Sequence, residues 1–450
     1  MKKLLALSLL IFCESLLGAE FRAGVARVKI TPPIPIWMSG YAARTHPAES
    51  VLHDLWAKAL VLEDGRGKRV AIVTTDLIGL PSVVSDAVAR RLKEKFGLER
   101  SELLLNSSHT HSGPVVRPNL KVLYDLSPED DAVAAHYSAR LIEDLVAVVE
   151  AAFKDLAPAD LASAHGSASF GINRREATPS GMRIGVNPSG PTDPDVPIIR
   201  VTHPDGRVRA VVFGYACHNT TLGGDSYRIH GDYAGFAQIE LEKRYPGATA
   251  MFVMLCGADQ NPNPRGTIDL AQKYGLALAA TVDQALRGAL HPVKAPLRTA
   301  YREVPLQFAS HTKETFVQES KSTDKYRQRR ARLMLAEYER GRPVQKMSYP
   351  VQAIRLGSDL TLLALGGEVV IDYALRAKRE YPRQNLIVAG YSNEVMGYIP
   401  SERILKEGGY EPVDSMIYYG QPGPLQTNVE ETAFRAIHQV LKSVGIKPGE

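Results

Sequence analysis

The chain has 450 residues, 44% hydrophobic and 23% charged, with a formal net charge of +5. Such a length buries a sizeable core and allows one to three domains, and the composition is ordinary for a globular protein. With no Lys/Arg block except KYRQRRARL near Arg330, the chain carries no nucleic-acid footprint, and no segment after the first twenty or so residues is apolar enough to span a membrane.

Residues 1–19 read as a cleavable export signal: Lys2 and Lys3, an apolar stretch from Leu4 to Phe12, then the small residues Gly18 and Ala19. The stretch is too short for a bilayer span, and Phe12 is too bulky for a lipoprotein cleavage site ahead of Cys13. The mature chain, 20–450, is therefore expected to be secreted or periplasmic. It would keep Cys217 and Cys256, which make no disulfide framework. They read as two buried thiols, with a single bridge between neighbouring strands as the alternative.

RAGVARVKITPP predicts an opening strand, broken by Pro32, Pro33 and Pro35. WAKALVLEDGRGKRVAIVTTD predicts a hairpin turning at Asp64-Gly65 and Gly67. PSVVSDAVARRLKEKFGL is an amphipathic helix bounded by Pro81-Ser82 and Gly97, and DDAVAAHYSARLIEDLVAVVEAAFKDL is a longer one. Gly166 to Pro197, rich in Gly, Ser, Pro and Arg and without periodicity, is expected to be a long irregular excursion. DYAGFAQIELEKRY and TIDLAQKYGLALAATVDQALRG are further helices. The charged stretch 310–342 reads as a solvated surface helix, with a mobile cap over the site as the alternative. VEETAFRAIHQVLKSVG is the last helix. The alternation predicts an α/β fold: a layered mixed β-sheet core flanked by helices, with its site at the C-terminal ends of strands.

Six apolar runs end in polar clusters: IVTTDLIG at Asp76, LLLNSSHTHSGP at His109 and His111, VVFGYACHNTT at His218, FVMLCGADQNPNPRG at Asp259, LLALGGE at Glu368, and LIVAGYSNE at Glu394. Short β-branched and Leu-rich runs are buried strands, so the six ends are expected to rim one site.

Histidines two apart, such as His109 and His111, can face the same side of an extended segment. One can bind a metal while the other bonds a reacting group. His218 and Glu368 complete a set of two imidazoles and a carboxylate, which matches the open three-ligand pattern of catalytic zinc. Glu368 also reads as a carboxylate in the first turn of a helix, where the dipole favours it. Asp76, His230, Asp232 and Asp259 are candidates to orient ligand histidines from behind. Asp76, His111, His230 and Asp259 are enough donors for a second ion, which makes a two-metal phosphate or ester hydrolase an alternative.

GVARVKITPP, MSGYA, NSSHTHSGP, GINRR, YACHNTT, HGDYAGFA, GGE, then GYIPSE with GGYE occur in order from about Phe21 to Glu411. This series resembles the catalytic domain of the neutral/alkaline ceramidase family. The resemblance implies a zinc amidase with one ion per chain, held by His109, His218, Glu368 and Tyr398. It places His111, Arg174 and Tyr410 around the scissile amide. Two departures matter. The family's catalytic serine has no counterpart in Gly257-Ala258-Asp259-Gln260-Asn261-Pro262-Asn263-Pro264. The family also continues into a β-sandwich domain beyond the point where this sequence ends, so a single catalytic domain at 20–450 is expected.

The expectation is an exported zinc-dependent hydrolase of N-acyl (amide) bonds, with water activated by the ion in place of the serine. Asp259 or His111 would be the general base; Tyr410, Arg174 and Gln260 would stabilise the developing negative oxygen. The substrate would be a small N-acylated molecule, lipid included. A catalytically silent relative that holds a lipid or glycan is the remaining alternative.

Overall fold

The structure is a computed structural model that describes residues 20–449; the export signal expected at 1–19 lies outside the described residues. The first half of the chain forms β1 (Phe21–Lys29), β2 (Ser50–Val51), β3 (Trp56–Asp64), β4 (Arg69–Thr75), α1 (Ser82–Phe96), β5 (Leu103–Ser107), α2 (Pro128–Lys154), β6 (Ala157–Ser167), β7 (Gly171–Thr178), β8 (Gly181–Asn187), β9 (Asp195–Thr202) and β10 (Val208–Tyr215). Then come β11 (Arg228–Ile229), α3 (Asp232–Arg244), β12 (Thr249–Met254), β13 (Gln260–Pro262), α4 (Ile268–Arg287), β14 (His291–Val293), β15 (Leu297–Gln307), α5 (Lys313–Glu319) and α6 (Lys325–Glu339). The chain closes with β16 (Lys346–Leu356), β17 (Leu360–Leu365), β18 (Glu368–Val369), α7 (Ile371–Glu380), β19 (Leu386–Ala389), β20 (Tyr398–Ile399), α8 (Glu402–Glu407), α9 (Ser415–Tyr419) and α10 (Val429–Ser443).

A nine-stranded sheet runs β12-β10-β9-β6-β1-β3-β4-β5, with β14 added on β6, and a second sheet runs β15-β16-β17-β19. The pairs β4–β5, β10–β12 and β17–β19 are parallel. A parallel pair delivers both C-terminal ends to the same edge, and that is where ligands gather in open sheets. Asn106, fully buried in β5, ties three of these ends together. Its Nδ2 donates to the Gly390 carbonyl at 2.9 Å and the Met254 carbonyl at 3.2 Å, and its Oδ1 accepts from Met254 N at 2.8 Å. One amide thus satisfies backbone groups left over where β5, β12 and β19 stop pairing.

Helices cover the sheets as their apolar stripes require. Leu141, Leu145 and Val149 of α2 share a buried cluster with Val88 of α1 and Val61 and Val73 of the sheet. A larger buried cluster runs from Phe21 to Ile446 and takes in Leu278 of α4 and Phe434 of α10. The expected hairpin is present: β3 and β4 pair antiparallel, and Asp64 Oδ1 accepts from Arg66 N and Lys68 N, each at 2.9 Å. α1 stops at Gly97, whose φ of 63° supplies the left-handed cap. The observed architecture is the expected layered mixed α/β fold. Among the described residues no helix is long and apolar enough to cross a membrane.

Two expectations change. The stretch from Gly166 to Pro197 is not irregular: β7 and β8 form an antiparallel hairpin between β6 and β9. β8 is mostly exposed, so it needs no apolar alternation, and β7 is held by pairing to β13 far along the chain. The charged stretch 310–342 is helical but not merely solvated. Phe316, Ala331 and Met334 form a small core of their own, and Arg330 is buried against Glu319. Tyr326 of α6 donates to the Ala42 carbonyl at 2.9 Å, with its ring 5.3 Å from that of Tyr418. Cys217 and Cys256 are buried free thiols.

Candidate metal centre and pocket

His109 and His111 follow β5, and His218 follows β10. Glu368 and Tyr398 are brought side by side by backbone pairing, as Cα partners in the two-residue parallel ladder of β18 and β20. Residues paired in parallel register point their side chains to the same face. Gly367 makes this possible: its φ is 75°, and a Cβ there would meet the Gly397 carbonyl at 2.8 Å. His109 itself is left-handed, with φ 62°, as is Tyr391 with φ 51°. Such backbone persists where surrounding structure over-determines it, and it concentrates at functional sites.

The side chains converge. Glu368 Oε2 lies 3.1 Å from His109 Nε2 and 3.2 Å from His218 Nε2. The Tyr398 hydroxyl is 3.3 Å from His218 Nε2, and His111 Nε2 is 3.1 Å from His109 Nε2. The ligand atoms of His109, His111 and His218 all lie within 4.8 Å of one another, a group able to hold a metal ion. Both principal imidazoles are oriented from behind by carbonyls: His109 Nδ1 by Ile78 at 2.6 Å and His218 Nδ1 by Gly257 at 2.8 Å. Those bonds place the proton on Nδ1 and leave a lone pair on Nε2.

That arrangement fits a divalent cation. Two Nε2 lone pairs face a carboxylate oxygen at hydrogen-bond distance, which is acceptor against acceptor unless positive charge lies between them. Burial, with the Arg174 guanidinium second, pushes the His218 imidazole down to about 4, so it supplies no proton near neutrality. Burial alone would raise the Glu368 carboxyl, but His109 and His218 reverse this and hold it well below the ordinary range. Two neutral imidazoles and an ionised carboxylate are ordinary zinc donors.

Around this cluster lies a cavity of about 230 Å³ lined by His109, His111, Arg174, Glu368, Tyr398 and Tyr410, among others. Arg174 is in β7, and its backbone N–H donates to the Asp259 carbonyl at 2.8 Å. Its guanidinium donates to Glu411 Oε1 at 2.9 Å and to the Tyr398 hydroxyl at 3.0 Å. Tyr410 begins a π-helical turn, Tyr410–Asp414, and stands edge-on to Tyr398 with centroids 5.6 Å apart; such turns recur at functional sites. Burial, with His109 and His218 next, drives the His111 imidazole well below its ordinary value. Its Nδ1 is buried without a partner and faces Gly40, where a Cβ would come within 2.4 Å.

Several expectations are corrected by this geometry. Glu368 is not in a first helical turn; it lies in β18, and the helix starts at Ile371. The six strand ends do not rim one site. Asp76 accepts from Trp56 N and Gln238 Nε2, each at 2.9 Å, and so pins the start of β3 to α3. Glu394 lines a separate cavity with Asp86 and Glu303. Asp259 is placed away from the pocket: Oδ1 accepts from Ile371 N at 2.9 Å and Oδ2 from Asn173 at 3.1 Å. Gln260 meets His218 through its backbone, its carbonyl accepting from His218 N at 3.0 Å, while Asn261 is the neighbour that lines the pocket. His230 and Asp232 bond each other and Thr221 rather than a ligand histidine. Asp76, His111, His230 and Asp259 therefore do not gather into a second metal site.

Three participants carry no sequence signal of their own. Tyr419 donates to Glu368 Oε1 at 2.5 Å, and the Tyr391 ring lies 4.4 Å from that of His109. Glu411 is a buried carboxylate shared by Arg174 and Arg175. Tyrosines and a carboxylate on short elements look the same in sequence whether buried or exposed.

Comparison with known proteins bears on the family and the fold. The family described as neutral/alkaline non-lysosomal ceramidase, N-terminal, matches residues 21–269. The neutral ceramidase of Mycobacterium tuberculosis is 26% identical over 253 residues, 51% of this chain and 38% of that protein. That of Pseudomonas aeruginosa is 25% identical over 276 residues, 58% and 39% of the two chains. The chain thus spans under two fifths of the length of these curated relatives. The crystal structure of the Pseudomonas aeruginosa neutral ceramidase superposes with a TM-score of 0.72 at 20% identity, covering 93% of this chain and 73% of that one. A structure of a ceramidase complexed with C2 gives 0.73 at 17% identity, covering 95% and 77%. The fold likeness therefore extends past residue 269 into the half that carries Glu368 and Tyr398. On the sequence match across more than half its length, the chain belongs to the neutral/alkaline non-lysosomal ceramidase family.

Proposed function

We propose that the protein is an exported, zinc-dependent hydrolase of N-acyl (amide) bonds, with one ion held by His109, His218, Glu368 and Tyr398. The observation that carries this reading is the approach of two Nε2 atoms to one carboxylate oxygen, at 3.1 and 3.2 Å, in the wall of a pocket. Zinc bound there supplies Lewis acidity, which polarises a carbonyl and makes water a nucleophile near neutral pH.

The chain's own residues do the rest. No serine stands in the Gly257–Pro264 segment, so water is the nucleophile. His111, kept neutral by burial, takes the proton in preference to Asp259, whose two oxygens are committed elsewhere. Tyr410 donates to the oxygen that gains charge, and Arg174 adds a fixed positive charge beside it. Ile78, Leu120, Leu123 and Tyr418 give the cavity an apolar wall for an acyl chain. Export rests on residues 1–19.

A panel of N-acyl substrates, each assayed with and without chelator and alongside a zinc count per chain, tests the proposal. Chelator-sensitive amide cleavage with one zinc supports it. Turnover by two ions favours phosphate or ester hydrolysis, and no chelator-sensitive turnover marks a silent binding protein.

A further inference from the structure

Arg265 lines the exposed side of the same cavity, and among the described residues no carboxylate forms an ion pair with it. Its Nη2 donates to the Tyr41 hydroxyl at 3.0 Å and to the Leu222 carbonyl at 3.5 Å, and neither acceptor is charged. Other guanidiniums near the site are paired: Arg174 and Arg175 with Glu411. Asp232 is near enough to act on Tyr41, but its carboxylate is buried and taken up by Thr221 Oγ1 at 2.6 Å and Tyr233 N at 2.7 Å. Arg265 is exposed yet not free to wander. Tyr41, which holds it, donates to the Leu222 carbonyl at 2.6 Å and packs on His111 with ring centroids 4.8 Å apart.

A second guanidinium, Arg44, is buried beside the pocket; its hydrogen bonds go to the Ser39 and Ser226 carbonyls, and the nearby Asp225 carboxylate offsets part of its charge. The cavity's own carboxylate, Glu368, is spent on the metal ligands. Arg265 therefore leaves a positive charge at the mouth, which draws anions. The lining is also divided. Ile78, Leu120 and Leu123 form an apolar side, whereas Thr220, Asn261 and Arg265 form a polar one. Asn261, with its amide oriented to satisfy both atoms, accepts from Arg265 Nη1 at 3.3 Å and donates to Thr220 Oγ1 at 3.2 Å.

Building on the amide-hydrolase reading, we infer that Arg265 anchors an anionic group on the acylated amine, so that the preferred substrates are N-acyl compounds bearing a carboxylate or sulfonate. The acyl chain lies on the apolar side, the scissile amide at the metal cluster, and the anion against Arg265 and Asn261. A neutral hydroxylated head group leaves this guanidinium without its partner.

The test compares N-acylglycine, N-acyltaurine and N-acylethanolamine of one chain length, with the metal-loaded full chain and its Arg265→Gln variant. The anionic-to-neutral ratio of kcat/KM is expected to fall about 10–100-fold in the variant, the worth of one charged hydrogen-bonded contact, and to fall through KM rather than kcat. The glycine and taurine arms show which anion is preferred. An unchanged ratio, or equal loss on charged and neutral substrates, overturns the inference. In a second arm, calorimetry measures binding of an anionic ketone isostere and its neutral counterpart to both proteins. If no amide is cleaved, the hydrolase reading fails, and this arm alone decides the anchor: selectivity for the anion that disappears with Arg265 supports it, and equal binding ends it.

Discussion

Tyr419 donates its hydroxyl to Glu368 Oε1 at 2.5 Å, which leaves Oε2 as the oxygen that faces His109 and His218. A carboxylate with one oxygen fixed from behind presents the other in a defined direction. Tyr419 is thus to Glu368 what the Ile78 and Gly257 carbonyls are to the two histidines.

Removing that hydroxyl, by Tyr419→Phe, keeps the ring and its packing but frees the carboxylate to rotate. Metal affinity is expected to fall about 10–100-fold, as for other groups that orient a ligand from behind. Competition with a chelator measures it, and circular dichroism should show an unaltered fold. Wild-type metal retention would count against Glu368 as a ligand.

Gly40 has φ 98° and abuts the His111 ring. In Gly40→Ala the new methyl displaces that ring while leaving His109, His218 and Glu368 in place. Turnover is expected to drop about 100-fold, the usual cost of misplacing a reacting group by an ångström, with zinc content unchanged. Loss of zinc together with activity would instead make His111 a ligand.

Burial pushes the Asp259 carboxyl up to about 6. Its value in the unfolded chain is about 3.9, so the folded form binds this proton more tightly. The contribution to stability is present in acid and is lost as the pH rises from about 4 to about 6, levelling off above that. Urea unfolding of the wild type and Asp259→Asn across this range isolates the term. The difference between the two should change with pH in that window; parallel profiles would show that Asp259 ionises normally.

Glu411, buried, neutralises both Arg174 and Arg175. Glu411→Gln leaves two buried guanidiniums short of one negative charge and is expected to cost about 3–5 kcal/mol in stability. Denaturant titration checks this. Because Arg174 also donates to Tyr398, the variant should lose activity well below its unfolding midpoint.

The strands that matter were legible because each is a run of apolar residues ending abruptly in His, Asp or Glu. That pattern found His109, His218 and Glu368, which do meet. It also counted Asp76 and Glu394, which end equally apolar strands but turn to Gln238 and to a different cavity. A strand end tells that a side chain leaves the core, not toward what. The segment around Arg174 reads as an irregular loop because β7 and β8 show no alternation; their pairing with each other and of β7 with β13, far along the chain, makes it a strand.

The sequence by itself determined the α/β layering, the positions of the helices and the two imidazoles and carboxylate at strand ends, because periodicity and burial are local properties of a chain. The tertiary structure decided the rest. Glu368 stands beside Tyr398 through a two-residue ladder, Asn106 gathers three strand ends, and Tyr419 and Glu411 reach the site from the end of α9 and from the π-helical turn. Each of these depends on contacts between residues far apart in the chain, where direction in space, and not residue type, sets the chemistry.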